Sequence, residues 1–72
     1  MQNGERLAAV RKENKHTQKE TADLIGSTAR NVRRWEKNET EIGAEKLKVF
    51  CEYYNVSSDY ILDLSDQKTT SK

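Results

Sequence analysis

Residues 17–38 read Thr17-Gln18-Lys19-Glu20-Thr21-Ala22-Asp23-Leu24-Ile25-Gly26-Ser27-Thr28-Ala29-Arg30-Asn31-Val32-Arg33-Arg34-Trp35-Glu36-Lys37-Asn38. The stretch opens with a capping box: the Thr17 hydroxyl can accept the backbone N–H of Glu20, and the Glu20 carboxylate can reach back to the N–H of Thr17. A helix therefore starts after Thr17, with Thr21, Ala22 and Ile25 facing inward. Gly26 ends it, because glycine takes the left-handed conformation just past a helix. Ser27-Thr28 offers a new N-cap, with Thr28 the better candidate, and a further helix follows over residues 29–37. Asn38 closes that helix, since asparagine tolerates the left-handed region better than most residues other than glycine.

The second helix of this pair is divided by face. At 100° per residue, Arg33, Arg34 and Lys37 fall within about 60° of Arg30, while Val32, Trp35 and Glu36 fall on the opposite side. Four like charges on one face repel one another, and a polyanion outside the domain would relieve them. A phosphate backbone would do so, and an arginine fork also matches O6 and N7 of guanine in the major groove. A solvated face with counterions is the plain alternative. With Gln18 as the first position of the motif, Ala22 is fifth, Gly26 ninth, Val32 fifteenth and Trp35 eighteenth. The small fifth residue lets the two helices approach where they cross. The glycine permits the tight turn, and the later apolar pair anchors the second helix on a core.

The rest of the chain extends this pattern in both directions. Its 72 residues make room for one domain with a modest core. Cys51 is the only cysteine, so no internal disulfide can form, and a lone thiol fits a reducing compartment. Apolar runs fall far short of the ~20 residues that span a bilayer, and Gln2-Asn3-Gly4-Glu5-Arg6 contains no signal-peptide apolar segment. Proline is absent and only three glycines occur, which favours helices joined by short turns. Leu7, Ala8 and Val10 mark a first amphipathic helix over residues 4–14. After a polar loop at 38–43, Ala44, Leu47, Val49, Phe50, Cys51 and Tyr54 mark a fourth helix, ended by Asn55. Ser57 caps a short fifth, with Tyr60, Ile61 and Leu64 as its apolar positions. The expected fold class is all-α, a compact bundle of about five short helices over residues 1–65, with residues 66–72 a flexible polar tail.

The overall charge is +1, but it is unevenly spread. Residues 1–37 carry nine Lys and Arg against five Asp and Glu, whereas residues 38–72 carry four against seven. The basic half suggests that one side of the domain faces a polyanion. Other singular residues have plain readings. His16 is a lone histidine without evident metal-ligand partners, so no metal or other cofactor is implied. Cys51 reads as a small core residue, with redox sensing the alternative. Trp35 reads as core rather than a base-stacking platform. Tyr53 and Tyr60 fit either a core edge or a dimer contact. No nucleophile–base pair, phosphate loop or metal spacing points to an enzyme.

Thr17-Gln18, Ala22, Ile25-Gly26, Val32 and Trp35-Glu36, with Arg11 upstream, resemble the Cro/cI-repressor type (Xre) helix-turn-helix family. The resemblance continues through Leu47, Phe50, Tyr54-Asn55-Val56-Ser57 and Asp59-Tyr60-Ile61-Leu62, and covers roughly residues 4–64. It implies a lambda repressor-like five-helix domain that binds double-stranded operator DNA, usually as a homodimer on a palindromic site, with its third helix in the major groove. The function so implied is a sequence-specific transcriptional regulator, a repressor, in the cytoplasm of a bacterial or phage-infected cell, with no membrane partner. The alternatives are an antitoxin-like module on the same fold with a protein partner, and the N-terminal half of a longer repressor.

Carried over by position, Gln18 touches the DNA backbone and braces the reading helix. Thr28, Ala29, Arg30, Arg33 and Arg34 hold its exposed positions. Arg30 and Arg34 are expected to read bases, and Arg33 and Lys37 to meet phosphates or flanking bases. Asn38 completes the expected DNA-binding set. Arg11 and Glu36 match an ion pair that ties the first helix to the third. Some positions depart from the family pattern. Ala29 replaces a hydrogen-bonding residue and offers only a methyl, suited to a thymine methyl. His16 and Thr21 replace leucines and should thin the core. Glu39 and Glu41 lie in a loop where relatives carry basic residues or proline, which puts phosphate contacts by that loop in doubt.

Overall fold

Four of the five helices of this chain start on side-chain caps, and all five stop at left-handed residues. The structure is a computed structural model that describes residues 2–68. It contains α1 (Gly4–Glu13), α2 (Gln18–Ile25), α3 (Ala29–Glu36), α4 (Ala44–Tyr54) and α5 (Ser58–Ile61), and no strand among the described residues. Asn3, Thr17, Thr28 and Ser57 cap α1, α2, α3 and α5 through their side-chain oxygens. The capping box at Thr17 is complete: the Thr17 N–H donates to Glu20 Oε1 at 2.7 Å, and the Glu20 N–H to Thr17 Oγ1 at 3.0 Å.

Every helix ends in the same way. Lys15, Gly26, Asn38, Asn55 and Asp63 all have positive φ. In each case the next N–H bonds to the carbonyl five residues earlier: His16 to Arg11, Ser27 to Ala22, Glu39 to Arg34, Val56 to Cys51 and Leu64 to Asp59. This pattern satisfies carbonyls that a helix end leaves orphaned.

Leu7, Val10, Ala22, Ile25, Val32, Trp35, Phe50 and Ile61 form the centre of the core, each at most 7% exposed. The expected all-α class and five-helix order hold. Three expectations about the core do not. Val49 is exposed because it lies about 160° around α4 from Leu47, away from the buried Phe50 and Cys51. Leu64 is 73% exposed because α5 stops at Ile61 and the turn at Asp63 swings the following residue outward. The loop at 38–43 is not wholly polar, since Ile42 is buried in the core. Of the expected tail at 66–72, residues 69–72 lie outside the described residues. Before them the chain folds back. Arg6 donates to the Tyr60 and Ser65 carbonyls at 2.9 and 2.8 Å, and the Ser57 N–H bonds to the Lys68 carbonyl at 2.8 Å.

His16 and Thr21 do not leave a void. His16 Nδ1 and Thr21 Oγ1 lie 2.8 and 2.7 Å from the Tyr54 hydroxyl, so the three form one hydrogen-bonded chain at the junction of α2 and α4. A buried tyrosine needs a partner for its hydroxyl, and these two residues supply it.

Cys51 lies in the core, as expected for a small apolar residue, and burial pushes its thiol up from 9.0 to about 11. Between those values the unfolded chain has lost this proton while the folded chain keeps it, so stability falls as pH rises. Burial raises the Tyr54 phenol too, in the same direction at higher pH. The free energy of unfolding should drop by about 2 kcal/mol between pH 8 and pH 11. Urea titrations at the two pH values would show it, and Cys51→Ala should remove most of the part that begins near pH 9.

Candidate nucleic-acid interface

Helix α3 is held by its apolar seam and by two polar braces, which leaves one face free. Val32 and Trp35 bury that seam, at 3% and 7% exposed. The first brace is Glu36. Its carboxylate accepts from Arg11 Nε at 2.7 Å, from Arg11 Nη2 at 3.2 Å, and from Gln18 Nε2 at 3.0 Å. Arg11 also donates to the His16 carbonyl at 2.8 Å. One carboxylate thus joins α1, α2 and α3, through a bidentate pair whose side chains are only 11% and 9% exposed. The arginine–glutamate tie between the first and third helices is present as expected, and Gln18 joins it.

The second brace comes from the N-terminus, and sequence reasoning missed it. Gln2 is 4% exposed. Its Nε2 donates to the Trp35 carbonyl at 3.1 Å and the Thr40 carbonyl at 2.9 Å, and its Oε1 accepts the Ile42 N–H at 3.2 Å. Next to it, Gly4 packs on the end of α3 so closely that a Cβ would meet the Glu36 carbonyl oxygen at 2.2 Å. Gly4→Ala must therefore force α1 away from α3. A loss of ~3 kcal/mol is expected, read as a lowered urea midpoint. No pattern at positions 2–4 announces these contacts, because they join residues more than thirty apart in sequence.

The free face carries the expected cations. Arg30, Arg33, Arg34 and Lys37 are all exposed, and among the described residues none of them forms an ion pair. At 1.5 Å per residue the stripe from Arg30 to Lys37 is about 10 Å long, on a helix about 10–12 Å across with its side chains. Thr28 is exposed at the head of the helix, its hydroxyl accepting the Asn31 N–H at 3.2 Å. Ala29 is half-buried beside it. Asn31 was not singled out from the sequence, yet it is exposed at the flank of the stripe, with its amide on the Ser27 hydroxyl at 3.2 Å. Gln18 is half-buried at the first position of α2. Asn38 stands at the far end, and its Oδ1 accepts the Gly4 N–H at 3.1 Å. Its side-chain oxygen thus already serves the fold. Glu39 and Glu41 are exposed in the loop directly after it.

A helix, a glycine turn and a second helix with a basic outer face, set within a five-helix bundle, define a helix-turn-helix domain. The model of the Cro/cI-type helix-turn-helix family matches residues 7–61, and the chain belongs to that family. Two solved structures are similar to it. The crystal structure of the P22 c2 repressor protein in complex with synthetic operator 9T in the presence of Tl+ is 32% identical at a TM-score of 0.82, covering 90% of this chain and 100% of that one. The solution structure of the DNA-binding domain of the P22 c2 repressor, determined by nuclear magnetic resonance, is 34% identical at a TM-score of 0.75, covering 90% and 88%. A comparison with curated proteins finds no match.

Proposed function

We propose that this protein is a sequence-specific double-stranded DNA-binding transcriptional regulator, a repressor, that lays α3 in the major groove of its operator. The observation that carries this reading is the exposed row of Arg30, Arg33, Arg34 and Lys37 on a helix fixed from behind by Glu36 and Gln2. Arg30 and Arg34 read base edges, with Arg33 and Lys37 on phosphates or flanking bases. Ala29 offers its methyl to a thymine. Thr28 and the start of α2 meet the backbone. There the N–H of Gln18 lacks an intrahelical acceptor and suits a phosphate oxygen. The similarity to a repressor solved with an operator supports the same reading.

The regulator acts as a homodimer on a palindromic site, as the family resemblance implies, in the cytoplasm of a bacterial or phage-infected cell. In keeping with this, no described helix is long and apolar enough to cross a membrane. Duplex binding titrated against salt tests the core of the reading. Affinity should fall steeply as counterions are released, and a flat response would count against phosphate contact by the cationic face.

A second reading, a protein-binding module on the same fold, draws on one feature. An open cleft of about 640 Å³ lies between α4 and α5, lined by Leu47, Cys51, Val56 and Leu62 among others, and Val49 and Tyr53 are exposed on α4. Sedimentation with and without duplex separates the two readings, because a DNA-binding dimer assembles on the duplex and a partner module stays monomeric on it.

A further inference from the structure

We infer that Gln2 is a positioning residue for the reading helix, setting where the last turn of α3 and the acidic loop stand against DNA. The inference rests on the DNA-binding reading above. Gln2 lies outside α1, with two helices between it and α3 in sequence, yet it is 4% exposed and its amide is fully engaged. A buried primary amide is costly unless its hydrogen bonds are made. All of its partners belong to one region. The Trp35 carbonyl is in the last turn of α3, Asn38 Oδ1 at 3.4 Å is in the turn that stops it, and the Thr40 carbonyl and Ile42 N–H are in the loop beyond. None of its bonds returns to α1, α4 or α5. The hydrogen bonds of Gln2 are therefore directed at the C-terminal end of α3.

That end is where position counts. Arg34 and Lys37 flank Trp35, and a bidentate base contact needs its side chain held within about half an ångström of the productive place. The Trp35 carbonyl accepts both the Asn38 N–H at 3.1 Å and Gln2 Nε2. Without Gln2 one of these two bonds is lost, and the loop loses the two hydrogen bonds that Gln2 makes at Thr40 and Ile42. Glu39 and Glu41 lie on that loop, exposed. A loosened loop lets these carboxylates drift toward Arg34 and Lys37 or toward the phosphates, weakening the reading contacts in either case.

Two substitutions separate positioning from plain stability. Gln2→Glu keeps the shape and the acceptor for Ile42 but retains at most one donor, on a protonated carboxyl, where Trp35 and Thr40 need two. Gln2→Met keeps the volume and removes all the bonds. Each variant is titrated with the duplex that the wild type selects from a random pool and with a scrambled duplex of the same length. Partial unfolding weakens both affinities by the same factor, so the ratio of the two reports only the placement of reading groups. The ratio is expected to fall about tenfold in both variants, the scale of one good base contact. Preference should relax at the bases read by Arg34 and stay at those read by Arg30. An unchanged ratio with a lowered melting temperature overturns the inference and leaves Gln2 an ordinary packing residue. A wild type that prefers no duplex overturns the DNA-binding reading, and this inference with it.

Discussion

Glu36→Ala is expected to remove most of the domain's stability at 25 °C. Glu36 is the one acceptor shared by Arg11 and Gln18, and its carboxylate lies between α1, α2 and α3. Removing it leaves the Arg11 guanidinium, whose side chain is 11% exposed, without its counter-charge. Breaking one partner of a buried pair costs ~3–5 kcal/mol, because the remaining charge stays desolvated. A domain of this size with no disulfide holds about 5 kcal/mol or less in total. Thermal melts followed by circular dichroism would show the loss. Glu36→Gln should lose less, since an amide oxygen can still accept from Arg11 or Gln18. Arg11→Met combined with Glu36→Leu should regain much of the stability, because apolar replacement of a whole buried pair is often neutral or better. A Glu36→Ala protein melting within a few degrees of wild type would show that the brace is incidental.

The second large effect falls on binding with the fold unchanged. Arg30→Ala and Arg34→Ala should each cost ~1–3 kcal/mol at the operator and relax preference for a base pair. Both side chains are exposed and unpaired among the described residues, so stability should move by no more than about 0.5 kcal/mol. Arg33→Ala and Lys37→Ala should weaken all duplexes alike and reduce the salt slope by about one each. Quantitative titrations on the selected operator and a scrambled duplex distinguish the two classes. If Arg30→Ala and Arg34→Ala both keep wild-type affinity and preference, the reading face has been misplaced.

The parts of this molecule that were legible in the sequence are those where a short local signal decides the structure. Thr17 with Glu20, Thr28 before α3, and Gly26, Asn38 and Asn55 after their helices all act within a few residues. The basic stripe is legible for the same reason, as helical spacing alone puts Arg30, Arg33, Arg34 and Lys37 on one face. Lys15 and Asp63 take the same left-handed conformation as Gly26, but lysine carries no signal for it, so the stops of α1 and α5 were less visible. Leu64 looked like core because its spacing from Ile61 fits a helix that in fact ends before it. What stayed hidden is long-range and polar. Gln2 reaches across to Thr40, Gly4 touches Glu36, and Tyr54 gathers His16 and Thr21. The last case also explains the departures at His16 and Thr21, which make sense only as partners of one hydroxyl.

The acidic loop remains the feature at odds with a tight phosphate clamp. Glu39 and Glu41 stay exposed beside the reading helix, held there by Gln2 through Thr40 and Ile42. Like charge facing phosphate costs affinity on any duplex, so recognition must come from α3 itself rather than from the loop. Selection of the wild-type protein on a pool of random duplexes tests that claim most directly. The account predicts enrichment of a palindromic sequence, bound with an affinity that falls steeply as salt rises and with preference carried by Arg30 and Arg34. A pool that emerges without enrichment, or a winner bound equally well after both arginines are replaced by alanine, would contradict it.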